Sequence, residues 1–165
     1  MWDNGSGVGV LLEIARLWQQ TNYQPSRTIL FAVWGSEELG QVGSQFFIKH
    51  PTIALSNTIA VYHLEGVGAG SGYYLQAQGN PIRESILRFT LDTTATQVKG
   101  HLDLVNSNRL SDQQSFRQAH IPAILLYWKG AETRNLPTDF AQEIDPNKLS
   151  TTGQILTLAA MMLAE

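Results

Sequence analysis

Two glutamates stand side by side in the stretch TILFAVWGSEELGQVGS, where Glu37 and Glu38 follow an apolar run and precede glycines. Adjacent carboxylates repel each other, so a site that collects them needs a cation or protons. Two further acids fall at comparable places. Asp3 lies in DNGSG, ahead of an apolar periodic stretch, and Glu65 ends the apolar run NTIAVYHLEGV. A divalent metal is the economical answer. One carboxylate of the pair can bind it while its neighbour handles the protons of a metal-bound water. His63 lies two positions before Glu65 and shares its strand face. It is either a substitute metal ligand or a hydrogen-bonded histidine beside the site. Each feature also has a plainer reading: paired glutamates complement a helix dipole, and Asp3 caps a helix.

The elements that must position these residues follow from periodicity. SGVGVLLEIARLWQQ (6–20) carries apolar residues at helical spacing, with capping types just ahead. RTILFAVWG (27–35), NTIAVYHLEGV (57–67) and IPAILLYWKG (121–130) are apolar, β-rich runs bounded by turn residues, and are expected as neighbouring central strands. SEELGQVGSQFFIKH (36–50) is expected as a helix, PIRESILRFTLDTT (81–94) as a helix with Pro81 in its first turn, and SDQQSFRQAH (111–120) as a short helix. GYYLQAQG and HLDLV are short strand candidates, the second at an edge. AETRNLPTDFAQEI reads as a loop, and residues 145–165 as a closing helix. Strands alternating with helices, and apolar on both faces, indicate a three-layer αβα sandwich with a mixed, mostly parallel sheet. In such a sheet functional groups gather beyond the strands' carboxyl ends. No repeat or linker divides the 165 residues, so a single domain is expected.

Bulk composition narrows the function. A net charge of −3 lacks the basic surplus of a nucleic-acid binder. No apolar run is long enough to span a bilayer, and no signal peptide is expected from the opening WDNGSG. With no cysteine, disulfides, thiolate nucleophiles and cysteine metal sites are all excluded.

In order along the chain, DNGSGVGVLLEIARL, RTILFAVWGSEELGQVGS, LEGVG, SDQQSFRQAHIPAILL and LPTDFAQEIDP resemble the co-catalytic zinc aminopeptidases of metallopeptidase family twenty-eight, which also includes glutaminyl-cyclase relatives. The resemblance spans nearly the whole chain. It implies hydrolysis of the N-terminal residue of a peptide substrate with two zinc ions. Asp3 matches the carboxylate bridging the ions, with a frequently cis Asp3–Asn4 peptide. Glu37 matches the general base, Glu38 a ligand of one zinc and Glu65 the acidic ligand of the other. Gly5, Gly7 and Gly9 would let the helix approach the sheet. The chain also departs from the pattern. The H-x-D motif that precedes DNGSG in the family is absent, as if early strands were missing. Asn135 stands where a late metal-binding His is expected, and Gln113 replaces the His of S-D-H. Asn is a weak oxygen donor to zinc. Three readings therefore stay open: an aminopeptidase-like hydrolase with an incomplete metal site, a non-catalytic relative that binds or assembles, or an N-terminally truncated piece of a longer active enzyme whose upstream part supplies the first His. Missing early strands would leave a sheet edge bare, and self-association is expected from that edge.

Overall fold

The structure, a computed structural model, describes residues 2–106, 109–130 and 135–165. Its elements are helix α1 (Trp2–Gln20), helix α2 (Val42–Lys49), strand β1 (Val61–Leu64), strand β2 (Leu75–Gln78), helix α3 (Ser85–Gln97), strand β3 (Leu102–Val105), helix α4 (Gln113–Gln118), strand β4 (Ala123–Trp128) and helix α5 (Pro146–Ala164). The sheet order is β1-β4-β2-β3. β1 pairs parallel with β4 and β2 parallel with β3, while β2 and β4 are antiparallel.

β4 is central because its residues tolerate cover on every side. Ala123, Ile124, Leu125 and Leu126 are wholly buried. Such a continuous apolar run suits a strand flanked by two others and covered on both faces. Helices α1, α3 and α5 cover one face. α3 buries Leu87, Thr90, Leu91, Thr94 and Ala95, the spacing of one helical stripe. α1 turns Val10, Ile14 and Trp18 inward at every fourth residue, and α5 adds Ile155, Leu156 and Ala159. Burying one such large side chain contributes about 1.5–3 kcal/mol. α2 and α4 cover the other face through Phe47 and Phe116, joined by Trp34. The result is the expected αβα sandwich. α5 begins as its sequence dictates: the Asp145 carboxylate accepts from the Asn147 N–H at 2.8 Å, and proline opens the first turn.

Three expectations about elements are corrected. Residues 27–35 are not a strand of the sheet. Thr28–Trp34 is unassigned backbone with no backbone hydrogen bond among the described residues. It is anchored where Arg27 N–H meets Ala164 O (3.0 Å) and where Gly43 N–H meets Gly35 O (3.1 Å). Its apolar composition suits an extended backbone, but a strand also needs a paired neighbour, and among the described residues β1 pairs only with β4. Second, Glu37 and Glu38 do not open a helix. They form a single 3₁₀ turn, Glu37–Leu39, bracketed by left-handed Ser36 (φ 58°), Gly40 (φ 93°) and Gln41 (φ 57°), and α2 starts after it. A Cβ on Gly43 would stand 2.6 Å from Gly35 O, so this close turn requires glycine. Third, Pro81 precedes α3 by a turn. The Asn80 carboxamide accepts from Ile82 N–H and Arg83 N–H (2.9 and 3.0 Å) and holds a separate turn there.

Candidate functional site

The acids named from the sequence gather beyond the carboxyl ends of β1 and β4. Asp3 is carried at the start of α1, where Asp3 and Asn4 depart from helical geometry (φ −103°, ψ 107° and φ −111°, ψ 33°). The peptide between them is cis, as the resemblance implied. The Asn4 side chain fixes this turn against β1: its amide donates to Leu64 O at 2.8 Å, and its carbonyl accepts from Gly66 N–H at 3.3 Å. Gly7 leaves room for that carboxamide, which a Cβ would strike. Gly5 and Gly9 have nothing within 4 Å of a would-be Cβ. Of the three glycines expected to pack helix against sheet, only Gly7 has a close neighbour, and it is Asn4.

Glu65 follows β1 and is 3 % exposed. Arg109 Nη2 stands 3.2 Å from Glu65 Oε1. The same guanidinium lies over the Tyr127 ring, 4.6 Å from its centre. Gln78 and Gln113 both donate to Arg109 O, at 3.0 and 2.8 Å, and so hold the segment that presents it. Gln113, at the position expected for a His in the family pattern, is wholly buried and braces this backbone.

His63 Nε2 lies 2.9 Å from Ser111 Oγ and 3.6 Å from Glu65 Oε2. Burial holds its pKa below the ordinary imidazole range of 6.5, against the pull of Asp112 and Glu37. His63 is therefore neutral at pH 7, and its approach to Glu65 is not an ion pair. Glu37 hydrogen-bonds Ser111 and has its pKa raised, first by burial and then by the Glu38 charge. Asp3 is pushed from 3.8 to about 6, chiefly by burial; Arg109 opposes this, and Glu38 and Asp139 reinforce it. Glu38 is exposed beside both. The structure thus brings Asp3, Glu37, Glu38, Glu65 and His63 into one electrostatic neighbourhood. Asn135 is exposed, with φ 59°. Residues 131–134, the first part of its loop, lie outside the described residues.

Sequence reasoning missed Arg109, Ser111 and Asp112. Ser111 and Asp112 were signalled by the SDQ segment, in which only Gln113 had drawn attention. Nothing in the sequence around Arg109 marks it as the partner of Glu65.

The zinc implied by the resemblance is tested by these donors. They do not fit it as arranged. No group of three or more His, Cys, Asp or Glu is placed to hold a metal ion among the described residues. The candidate set Asp3, Glu38 and Glu65 is all carboxylate, whereas zinc sites usually include nitrogen or sulfur. The cation beside Glu65 is Arg109.

Fold and site together define an αβα domain with an acidic cleft at the carboxyl ends of its strands. The chain belongs to Peptidase family M28, whose model matches residues 1–160. Aminopeptidase YwaD of Bacillus subtilis is 30% identical over 173 residues, covering 95% of this chain and 36% of that protein. Aminopeptidase NAALADL1 of Rattus norvegicus is 36% identical over 89 residues, 52% of this chain and 12% of that protein. Among solved structures, BSAP, a zinc aminopeptidase from Bacillus subtilis, superposes with a TM-score of 0.86 at 26% identity, covering 99% of this chain and 42% of that one. Porphyromonas gingivalis glutaminyl cyclase shares the fold, with a TM-score of 0.71 at 23% identity and coverage of 98% and 62%. The chain spans less than half the length of the two aminopeptidases and of the zinc enzyme. No helix among the described residues is long and apolar enough to cross a membrane.

Proposed function

We propose that the chain carries the acidic half of an aminopeptidase-type site, with Glu37 as the proton-handling group. The observation behind this reading is the placement of Glu37. It is partly buried, hydrogen-bonded to Ser111, and its affinity for protons is raised by burial and by Glu38. A carboxylate tuned upward is suited to take a proton from water and return it to a leaving amine. Asp3, Glu38 and Asp139 give the cleft the charge that attracts the protonated amino terminus of a peptide. The His63–Ser111 contact fixes the hydroxyl that Glu37 uses. Zinc, named for the Bacillus relative, enters no step here, because the donors present do not fit it.

The test is hydrolysis of leucine p-nitroanilide by the purified chain, alongside binding of a non-hydrolysable dipeptide analogue. Slow turnover that disappears in Glu37→Gln, with binding retained, is the expected result. A second reading is favoured by the Arg109–Glu65 contact, which occupies a carboxylate the resemblance assigns to metal. It makes the cleft a peptide-binding site without catalysis. Equal binding by wild type and Glu37→Gln, with no turnover in either, would select it.

A further inference from the structure

Arg109 brings a cation into the acidic cleft and spends little of it there. Its Nη2 donates to Glu65 Oε1 at 3.2 Å, and the guanidinium makes no other hydrogen bond among the described residues. A guanidinium carries several N–H donors in a rigid fork, so most of this one has no protein partner. Neither Nε nor Nη1 is a buried orphan, and the side chain is 28% exposed, so these donors open to solvent. The other buried or half-buried arginines are used up. Arg117 donates to Ala123 O and Gln78 O, both at 2.8 Å. Arg88 donates to Gly79 O (2.8 Å), Val105 O (3.3 Å) and Asn106 Oδ1 (3.1 Å). Those two hold backbone together, and Arg109 does not.

Arg109 is nevertheless held firmly. Its carbonyl accepts from Gln78 and Gln113, both wholly buried. Its guanidinium face rests on the Tyr127 ring, 4.6 Å from the centre, which fixes the plane and leaves the edges free. A fixed guanidinium edge with open donors matches a planar carboxylate. The surroundings say which carboxylate. Asp3, Glu38 and Asp139 repel a lone anion, so the ligand must carry a cation of its own. Burial raises the Asp3 pKa and the Arg109 charge opposes it, so the guanidinium and that acid are close enough to feel each other. An amine and a carboxylate held so near one another belong to a short molecule. Two residues of polypeptide span at most about 7 Å.

We propose that the open edge of Arg109 binds the terminal carboxylate of a dipeptide whose protonated amine lies against Asp3 and Glu38, so that the cleft selects dipeptides over longer peptides. The guanidinium then bridges two carboxylates, Glu65 below and the ligand above. The inference rests on the reading of the acids as the amine site, and it holds whether or not Glu37 turns the bound peptide over.

The probe is the ketomethylene isostere of Leu-Gly, which cannot be hydrolysed, titrated into the full chain at pH 7 by calorimetry. Its carboxamide and the isosteres of Leu-Gly-Gly and Leu-Glu-amide are titrated beside it. The Leu-Gly isostere should bind at least about tenfold tighter than each of the other three. In Arg109→Gln the acid and its carboxamide should bind within about twofold of each other. In Arg109→Lys, which keeps the charge without the fork, the preference should fall at least about threefold. Circular dichroism matching wild type shows that a variant is folded, and Arg109→Lys carries the comparison if Arg109→Gln unfolds. No saturable binding of the Leu-Gly isostere, equal binding of its carboxamide, or an unchanged preference in Arg109→Lys overturns the proposal. Equal binding of the Leu-Gly-Gly isostere overturns it too, and equal binding of the Leu-Glu-amide isostere would give the carboxylate to a side chain instead. Leucine p-nitroanilide has no carboxylate, so its turnover reports on Glu37 alone and separates failure of that role from failure of this one.

Discussion

Arg109 touches Glu65 at 3.2 Å, where burial leaves that carboxylate little water. Removing a charged partner from a buried acid costs more than the pair contributes, because the remaining charge is poorly solvated. Arg109→Gln should lower unfolding stability by about 1–3 kcal/mol in urea at pH 7. A loss indistinguishable from zero would mean that the guanidinium is not what neutralises Glu65. Asp3 makes a second residue-level case. Its pKa is raised to about 6 from 3.8, so the folded state holds a proton that the unfolded state has released between those values. The stabilisation linked to that proton is fully present below the ordinary carboxylate range and is lost as pH rises through about 6. Glu37 is raised as well and acts in the same direction. Asp3→Asn should therefore be more stable than wild type at pH 7 in EDTA, by on the order of 1 kcal/mol after solvent screening. The advantage should shrink as pH falls toward 4, and a stability difference that does not vary with pH would contradict this account.

At the scale of elements, the contrast between β4 and Thr28–Trp34 makes a measurable difference. Both are apolar runs. β4 has neighbours on both sides and is buried throughout its first four residues, while Leu30, Phe31 and Val33 are 48, 39 and 66% exposed. Amides in β4 should exchange with solvent only on global opening, and those of Thr28–Trp34 should exchange orders of magnitude faster. Comparable protection of both segments would mean that the 28–34 run finds a partner. The contrast also shows what was legible beforehand. α3, α5 and β4 could be read because periodicity, Pro146 and unbroken apolar character are local properties. Residues 27–35 could not, because pairing belongs to the neighbour. The Pro81 reading failed because the Asn80 side chain supports a turn of its own ahead of α3. Glu37, Glu38 and Glu65 were picked out by their positions after apolar runs, and Asp3 by its place ahead of an apolar periodic stretch. Arg109 was not, because its approach to Glu65 depends on Gln78 and Gln113 holding a distant segment.

For the molecule as a whole, the question is whether its fold alone assembles a metal centre. The sheet and helices bring the carboxylates together, yet no cluster ready for a metal ion is formed among the described residues. A ligand that binds only the folded state stabilises it by RT ln(1 + [L]/Kd). If Kd is no tighter than about 50 μM, then about 50 μM free zinc contributes no more than about 0.4 kcal/mol. For a chain of this size, that raises Tm by less than about 2 °C. We expect a zinc titration of the purified chain, followed by differential scanning calorimetry, to stay within that limit. Asn135→His should leave it there too, because the position is exposed and Glu65 is still paired with Arg109. Arg109→Gln should not create tight binding either, since three carboxylates still lack a nitrogen donor. A saturable rise of more than about 5 °C, with one or two zinc ions retained after dialysis, would overturn this expectation. It would require Glu65 to leave Arg109 and His63 to turn from Ser111, and both changes would be visible in a structure of the zinc-loaded chain.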